Sequence, residues 1–87
     1  MEHLLEFYGE ECPHCAKMRE VSLQLENEDG IKLNRLEVWH DKDNMAKLEE
    51  CDKDMCGGVP FFLNTKTGKF ICGEATYEEM KEWATGE

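Results

Sequence analysis

The sequence predicts an α/β domain with a mixed sheet of four strands, helices on both faces and the element order β-α-β-α-β-β-α. In the first half, apolar segments at 3–8 and 31–39 are separated by a helical pattern, which is typical of a parallel βαβ unit. In the second half, segments 61–63 and 70–72 flank a Thr-Gly turn, which predicts an antiparallel hairpin. The chain of 87 residues has room for one domain, residues 1–87, and no second one.

The first strand is expected to lie in the middle of the sheet. In residues 3–8, Leu5 and Phe7 share one face. Leu4 and Glu6 share the other face. Because helices cover both faces of a central strand, we expect Glu6 to be buried together with its apolar neighbours.

Start and stop signals delimit the helices. The first helix is expected over residues 13–27, with Asp29-Gly30 ending it, because proline suits the first turn and glycine the C-terminal cap. The second helix opens at Asp41-Lys42-Asp43-Asn44, which supplies N-cap side chains. The last helix opens with Thr76 and Glu79, which have the spacing of a capping box.

Composition excludes several classes of function. Ten basic and twenty acidic side chains give a net charge of −10, which argues against nucleic-acid or anionic-membrane binding. The apolar runs are too short for a transmembrane helix, and residues 1–6 lack the pattern of a signal peptide. We therefore expect a cytoplasmic monomer. The acidic stretches 26–29 and 49–52 are interpreted as solvated surface.

The cysteines indicate reactive thiols. Five cysteines without a signal peptide argue against a secreted disulfide scaffold. Cys12 and Cys15 form a C-P-H-C motif in which Pro13 suits the first helical turn, where unpaired N–H groups and the helix dipole favour a thiolate on Cys12. His14, when protonated, adds a second positive charge. The spacing puts both sulfurs on one side of the helix, where they can close a disulfide.

The pattern resembles the thioredoxin superfamily, in its minimal, glutaredoxin-sized form. The stretch around residues 12–15 is most similar to the DsbA-like disulfide oxidoreductases, whose active site is also C-P-H-C after an apolar strand. Glu6 precedes the first cysteine by six residues, the spacing at which that family keeps a buried carboxylate. Residues 57–63 resemble the family's cis-proline loop and following strand, 64–69 its β-turn, and 73–83 its closing helix. The resemblance covers nearly the whole chain.

The resemblance implies a thiol–disulfide oxidoreductase without a metal or cofactor. Cys12 would attack a substrate disulfide and Cys15 would resolve the mixed disulfide. Glu6 is expected to accept the proton of Cys15, since burial raises the pKa of a carboxyl group. Pro60 would be the cis-proline, placing the backbone of Val59 where an extended substrate can pair with it. The expected partners are disulfide-containing proteins or small thiols, and a reductase or glutathione.

Two other functions stay open. One is a glutaredoxin-like, glutathione-dependent reductase, although Glu10 and Glu11 stand where glutaredoxins usually carry a basic residue. Gly58-Val59-Pro60 also replaces their Thr-Val-Pro. The other is a non-enzymatic metal-binding or thiol-sensing module, because a C-x-x-C motif can be half of a zinc site.

The remaining cysteines allow several arrangements. Cys51 and Cys56 are five residues apart and would form a second redox pair or a structural bridge, or remain two half-buried free thiols. Cys72, at a strand end, is expected to be a small core residue. A four-thiolate site with Cys12 and Cys15 would require Cys51 and Cys56 to converge on the helix start.

Overall fold

The computed structural model describes residues 2–53 and 55–86. Over these residues the order of elements is the predicted β-α-β-α-β-β-α. The strands are β1 (Leu4–Tyr8), β2 (Asn34–Glu37), β3 (Phe61–Asn64) and β4 (Phe70–Cys72), and the helices are α1 (Pro13–Asp29), α2 (Lys42–Asp52) and α3 (Tyr77–Thr85). None of the helices in the described part of the chain is long and apolar enough to cross a membrane.

The four strands form one mixed sheet in the order β2-β1-β3-β4. β1 pairs in parallel with β2, where Glu6 is opposite Arg35, and antiparallel with β3, where Glu6 is opposite Phe62. β3 and β4 form the predicted antiparallel hairpin. β1 therefore lies inside the sheet, as the sequence predicted, and its C-terminal end leads directly into the C-P-H-C segment.

Two core clusters cover the two faces of the sheet. Leu4 and Phe62 pack with α1 and α3 residues on one face, and Leu5 and Phe7 pack with Leu48 of α2 on the other. The predicted alternation along β1 is confirmed. Helices therefore cover both faces, and the carboxylate of Glu6 is fully buried.

Two boundaries differ from the prediction. α1 continues to Asp29 because no residue breaks the helix before Gly30, which adopts the left-handed conformation (φ 66°) and donates from its N–H to the carbonyl of Glu26. β2 is shorter than residues 31–39, because its ladder with β1 extends only over Asn34–Glu37. Of the apolar residues that flank the shorter β2, Ile31, Leu33 and Val38 are buried and Trp39 is exposed.

Candidate functional site

The C-P-H-C segment lies at the N-terminus of α1, as predicted. Cys12 is the N-cap residue and Pro13 the first residue of the helix. The backbone N–H of Cys12 donates to the carbonyl of Gly9 (3.1 Å), which fixes the turn between β1 and α1. The Sγ of Cys12 accepts a hydrogen bond from the backbone N–H of Cys15 (3.2 Å). Both cysteines are free thiols, and each is almost fully buried.

Cys15 is the more deeply enclosed thiol of the pair, with an exposed fraction of 2%. Burial, the hydrogen bond with Cys12 and the nearby charge of Glu6 raise the pKa of the Cys15 thiol to about 12. Cys15 therefore holds its proton at neutral pH. Its reaction as a nucleophile requires a group that takes this proton.

Glu6 is the buried carboxylate on the same side of the sheet. Its Oε1 accepts hydrogen bonds from the hydroxyl of Ser22 (3.0 Å) and from Nε of Arg35 (3.2 Å). Its Oε2 has no hydrogen-bond partner among the described residues. Burial raises the pKa of Glu6, and Arg35 and Ser22 oppose that rise. The predicted burial of Glu6 is confirmed, while its part in proton transfer stays a prediction.

A small cavity lies between Cys15 and Arg35, the hydrogen-bond partner of Glu6. The cavity has a volume of about 170 Å³, and Cys15, Tyr8, Arg19 and Arg35 line it. The guanidinium of Arg35 stacks on the ring of Tyr8, 3.9 Å from its centroid. A cavity of this size has room for water molecules. Cys15 and Arg35, which donates a hydrogen bond to Glu6, thus face the same cavity.

His14 is exposed and is directed to the loop between β4 and α3 rather than to Cys12. Its Nδ1 makes a hydrogen bond of 2.5 Å with the carboxylate of Glu74, which lowers the pKa of Glu74. When His14 is protonated, its positive charge is paired with this carboxylate. In the described residues no hydrogen bond joins His14 to Cys12, so the tuning of Cys12 by His14 stays a prediction.

The loop before β3 approaches the thiol of Cys12. The Val59–Pro60 peptide bond is cis, which confirms the sequence prediction. The Sγ of Cys12 lies 4.0 Å from the carbonyl oxygen of Val59. The carbonyl of Pro60 accepts a hydrogen bond from Gly73 (2.8 Å), which connects this loop to the end of β4. Val59 and Pro60 therefore lie beside the thiol pair, as the family resemblance implied.

Two carboxylates that support these loops were missed by sequence reasoning. Asp52 is buried, which contradicts the interpretation of 49–52 as solvated surface. Its two carboxylate oxygens accept hydrogen bonds from the N–H groups of Cys56 (2.7 Å) and Gly57 (2.9 Å). An acidic residue at the end of α2 followed by a glycine-rich loop is a sequence signal that could have indicated this contact.

Glu37 supports the other side of the site. One of its oxygens accepts from the N–H groups of Glu10 (2.9 Å) and Trp39 (3.2 Å), and the other from His40 (2.7 Å). These bonds connect the loop before Cys12 to the loop after β2. Glu37 also lies close to Glu11 and His40. One potential metal-ligand atom from each of these three side chains lies within 4.8 Å of the other two. No motif or spacing in the sequence indicates this cluster.

The other cysteines are arranged differently from the prediction. Cys56 is bonded to Cys72, and Cys51 is a free, half-buried thiol. A Cys51–Cys56 pair, one of the arrangements that the spacing allowed, is therefore wrong. Cys72 is also not a core residue, because it is exposed at the end of β4. Its strand partner Phe61 directly follows the cis-proline, and this register brings Cys72 next to the loop that carries Cys56.

This arrangement also rules out the four-thiolate site. Cys56 is bonded to Cys72 and is not available as a thiolate ligand beside Cys12 and Cys15. Cys51 packs instead with the apolar cluster beneath α2, and burial raises the pKa of its thiol. The C-P-H-C thiols thus remain a pair of their own.

A comparison of the chain with protein-family models, curated proteins and solved structures finds no match. Function is therefore argued from the side chains of the site and their surroundings.

Proposed function

We propose that this protein is a thiol–disulfide oxidoreductase with a thioredoxin-like fold. The observation that carries the proposal is the position of Cys12, whose Sγ accepts the Cys15 N–H at a helix N-terminus and lies 4.0 Å from the carbonyl before a cis-proline. A sulfur at a helix N-terminus is stabilised as a thiolate by the N–H donors and the dipole. A second thiol within one helical turn can then resolve an intermediate.

The reaction has two exchange steps. The Cys12 thiolate attacks one sulfur of a substrate disulfide, forms a Cys12–substrate mixed disulfide and releases the other substrate sulfur as a thiolate that takes a proton from water. Cys15 then loses its proton and attacks the sulfur of Cys12. The Cys12–Cys15 disulfide forms, the second substrate sulfur leaves as a thiolate that takes up a proton, and two electrons have passed to the substrate. The reverse sequence oxidises a substrate dithiol.

The second step needs a proton acceptor, and Glu6 is proposed for it. The Cys15 thiol is nearly fully buried and holds its proton, so direct loss to bulk water is impeded. Glu6 is a buried carboxylate with one unpartnered oxygen. Burial raises the pKa of Glu6. Its pKa is therefore closer to that of a thiol than the pKa of an exposed carboxyl group would be, which favours proton transfer from Cys15. A cavity lined by Cys15 and by Arg35, the hydrogen-bond partner of Glu6, has room for a water molecule.

We propose the cytoplasm as the compartment of this reaction. In that reducing environment the resting state would be the Cys12–Cys15 dithiol, and glutathione or a reductase would restore it after turnover. Disulfide-containing proteins or small disulfides would be the substrates.

A glutathione redox titration tests the proposal. Free thiols are alkylated at each potential, and peptide mass spectrometry assigns the state of every cysteine. We expect Cys12 and Cys15 to titrate together as one two-electron couple, distinct from Cys56 and Cys72. Cys12→Ser should abolish reduction of a small disulfide, while Cys15→Ser should accumulate the mixed disulfide on Cys12. Failure of Cys12 and Cys15 to pair at any potential would refute the proposal.

A further inference from the structure

A groove of about 300 Å³ lies between α2 and the loop before the cis-proline. Its walls include the side chains of Trp39, Met45, Leu48 and Val59, and its charged lining residues are Glu49 and Asp52. We call it the α2 groove. The catalytic scheme above makes no use of it.

The α2 groove is continuous with the thiol pair through two of its walls. Val59 forms one wall, and its carbonyl oxygen lies 4.0 Å from the Sγ of Cys12. Trp39 forms another wall, and its ring lies against Gly9, where an added Cβ would be only 2.3 Å from the indole. The carbonyl of Gly9 in turn accepts the N–H of Cys12. A chain bonded to Cys12 therefore has the groove directly beside it.

Trp39 is a large apolar side chain that remains 48% exposed. Its backbone is held in place by Glu37, which accepts the Trp39 N–H and also fixes the loop before Cys12. An indole that is held in position but only half covered by its own chain is suited to cover an apolar side chain of a partner. Met45 and Leu48 extend this apolar surface along α2.

The charge of the α2 groove is of one sign. Both of its charged lining residues are carboxylates, and the described residues that line it include no lysine or arginine. Glu49 is exposed on α2, and the whole chain carries a net charge of −10. A cationic partner is therefore favoured and an acidic one is repelled.

We propose that the α2 groove selects the substrate of the disulfide exchange. The occupant is an extended polypeptide with a bulky apolar residue next to its disulfide-bonded cysteine and a lysine or arginine beyond that residue. Trp39 and Val59 cover the apolar side chain, and Glu49 attracts the cation. This inference rests on the proposed oxidoreductase function and names its substrate class.

Chromogenic peptides test the substrate preference. Three short peptides each carry one cysteine as a mixed disulfide with 2-nitro-5-thiobenzoate, whose release is followed by absorbance. The first has phenylalanine beside the cysteine and lysine beyond it, the second replaces phenylalanine with glycine, and the third replaces lysine with glutamate. For the native chain, we expect kcat/KM to be about tenfold higher for the first peptide than for the second. The first should exceed the third by about two- to fivefold at low salt.

Variants assign the preference to the α2 groove. Trp39→Ala should bring the phenylalanine-to-glycine ratio of kcat/KM close to one, and Trp39→Phe should retain most of it. Glu49→Gln should reduce only the lysine-to-glutamate ratio. Phe70→Ala is the matched control, because Phe70 is also an exposed aromatic residue but lies on β4 outside the groove.

The outcomes separate this inference from the function on which it rests. If the native chain releases the chromophore from all three peptides at equal rates, the substrate preference is refuted and the oxidoreductase stands. The same holds if Trp39→Ala and Trp39→Phe both retain the full phenylalanine preference. If the native chain releases the chromophore no faster than Cys12→Ser from any peptide, the oxidoreductase proposal itself fails.

Discussion

Cys12 and Cys15 belong to the same helical turn but differ in their surroundings. The Sγ of Cys12 receives an N–H donor at the helix start, whereas Cys15 is enclosed and its pKa is raised to about 12. In the proposed exchange, Cys12 attacks the substrate and Cys15 stays protonated until the mixed disulfide has formed. Glu6 is fully buried on β1 and is the residue proposed to accept the proton of Cys15.

Glu6→Gln is expected to slow the resolving step and to leave the first attack by Cys12 largely unchanged. The amide keeps the size of the side chain but cannot take up the Cys15 proton, and general-base catalysis typically contributes about a hundredfold or more. Acid quenching of single turnovers followed by mass spectrometry measures the lifetime of the mixed disulfide. Ser22→Ala is the control, because it removes one hydrogen bond of Glu6 and keeps its carboxylate. An unchanged lifetime in Glu6→Gln would contradict the proton-acceptor role.

Glu6 also predicts a pH dependence of stability. Its pKa in the folded state is raised above the ordinary value of 4.5, so the folded state binds the proton more tightly than the unfolded state. The contribution of Glu6 to the free energy of unfolding is therefore fully present below pH 4.5 and is lost as the pH rises through its folded pKa. The loss amounts to about 1.4 kcal/mol per unit of pKa difference.

Urea unfolding of the native chain and of Glu6→Gln from acidic to neutral pH measures this effect. The difference in free energy of unfolding, native minus variant, should decrease as the pH rises above 4.5. Parallel pH profiles would show that Glu6 titrates alike in the folded and unfolded chains.

At the scale of elements, the loop between α2 and β3 is held by three separate links. Asp52 accepts two of its N–H groups, the Cys56–Cys72 disulfide joins it to β4, and Pro60 receives a hydrogen bond from Gly73. These links fix a glycine-rich segment that would otherwise have high conformational freedom. Val59 is thereby held beside Cys12.

Replacing both Cys56 and Cys72 with serine is expected to destabilise the fold by about 3 kcal/mol. The chain-entropy model predicts about this value for a disulfide that closes a loop of ~15 residues. The two cysteines are 16 residues apart in sequence. Urea unfolding under non-reducing conditions measures the change. Cys51→Ala is the control, since this thiol is free and should alter stability far less. Equal stability of the double variant and the native chain would contradict a structural role of the bridge.

The elements of the site differ in how far the sequence determines them locally. The position of Cys12 at the helix start, the capping box at Thr76 and the C-terminal cap of α1 at Gly30 depend on neighbouring residues, and each was predicted. The Cys56–Cys72 bond depends on the register of β4 against β3, which no local pattern specifies. The short spacing of Cys51 and Cys56 therefore allowed a pair that differs from the bond that forms.

At the scale of the whole molecule, the central position of β1 organises both core and site. Its alternating residues pack into the two clusters, Glu6 occupies one position of that alternation, and the strand delivers Cys12 to the start of α1. The period-two pattern of a single strand was sufficient to predict this arrangement. The buried position of Asp52 does not follow from hydrophobic periodicity, because it depends on local hydrogen bonds from the N–H groups of the loop that follows α2.

The net charge of −10 predicts a salt dependence of the entire fold. Like charges in a compact chain repel one another, and added salt screens that repulsion. Raising the NaCl concentration from about 10 mM to about 200 mM shortens the Debye length from about 30 Å to below 10 Å and should raise the thermal midpoint by a few degrees.

Exchanging two exposed acids, Glu26→Lys and Glu50→Lys, changes the net charge from −10 by four units, to −6. Both side chains lie on exposed positions of helices, outside the thiol pair and outside the lining of the α2 groove. Scanning calorimetry in NaCl should therefore show a smaller salt-induced rise in the midpoint for this variant than for the native chain. A rise of equal size in both would mean that specific ion pairs, such as Lys81 with Asp29, rather than net repulsion govern the response to salt.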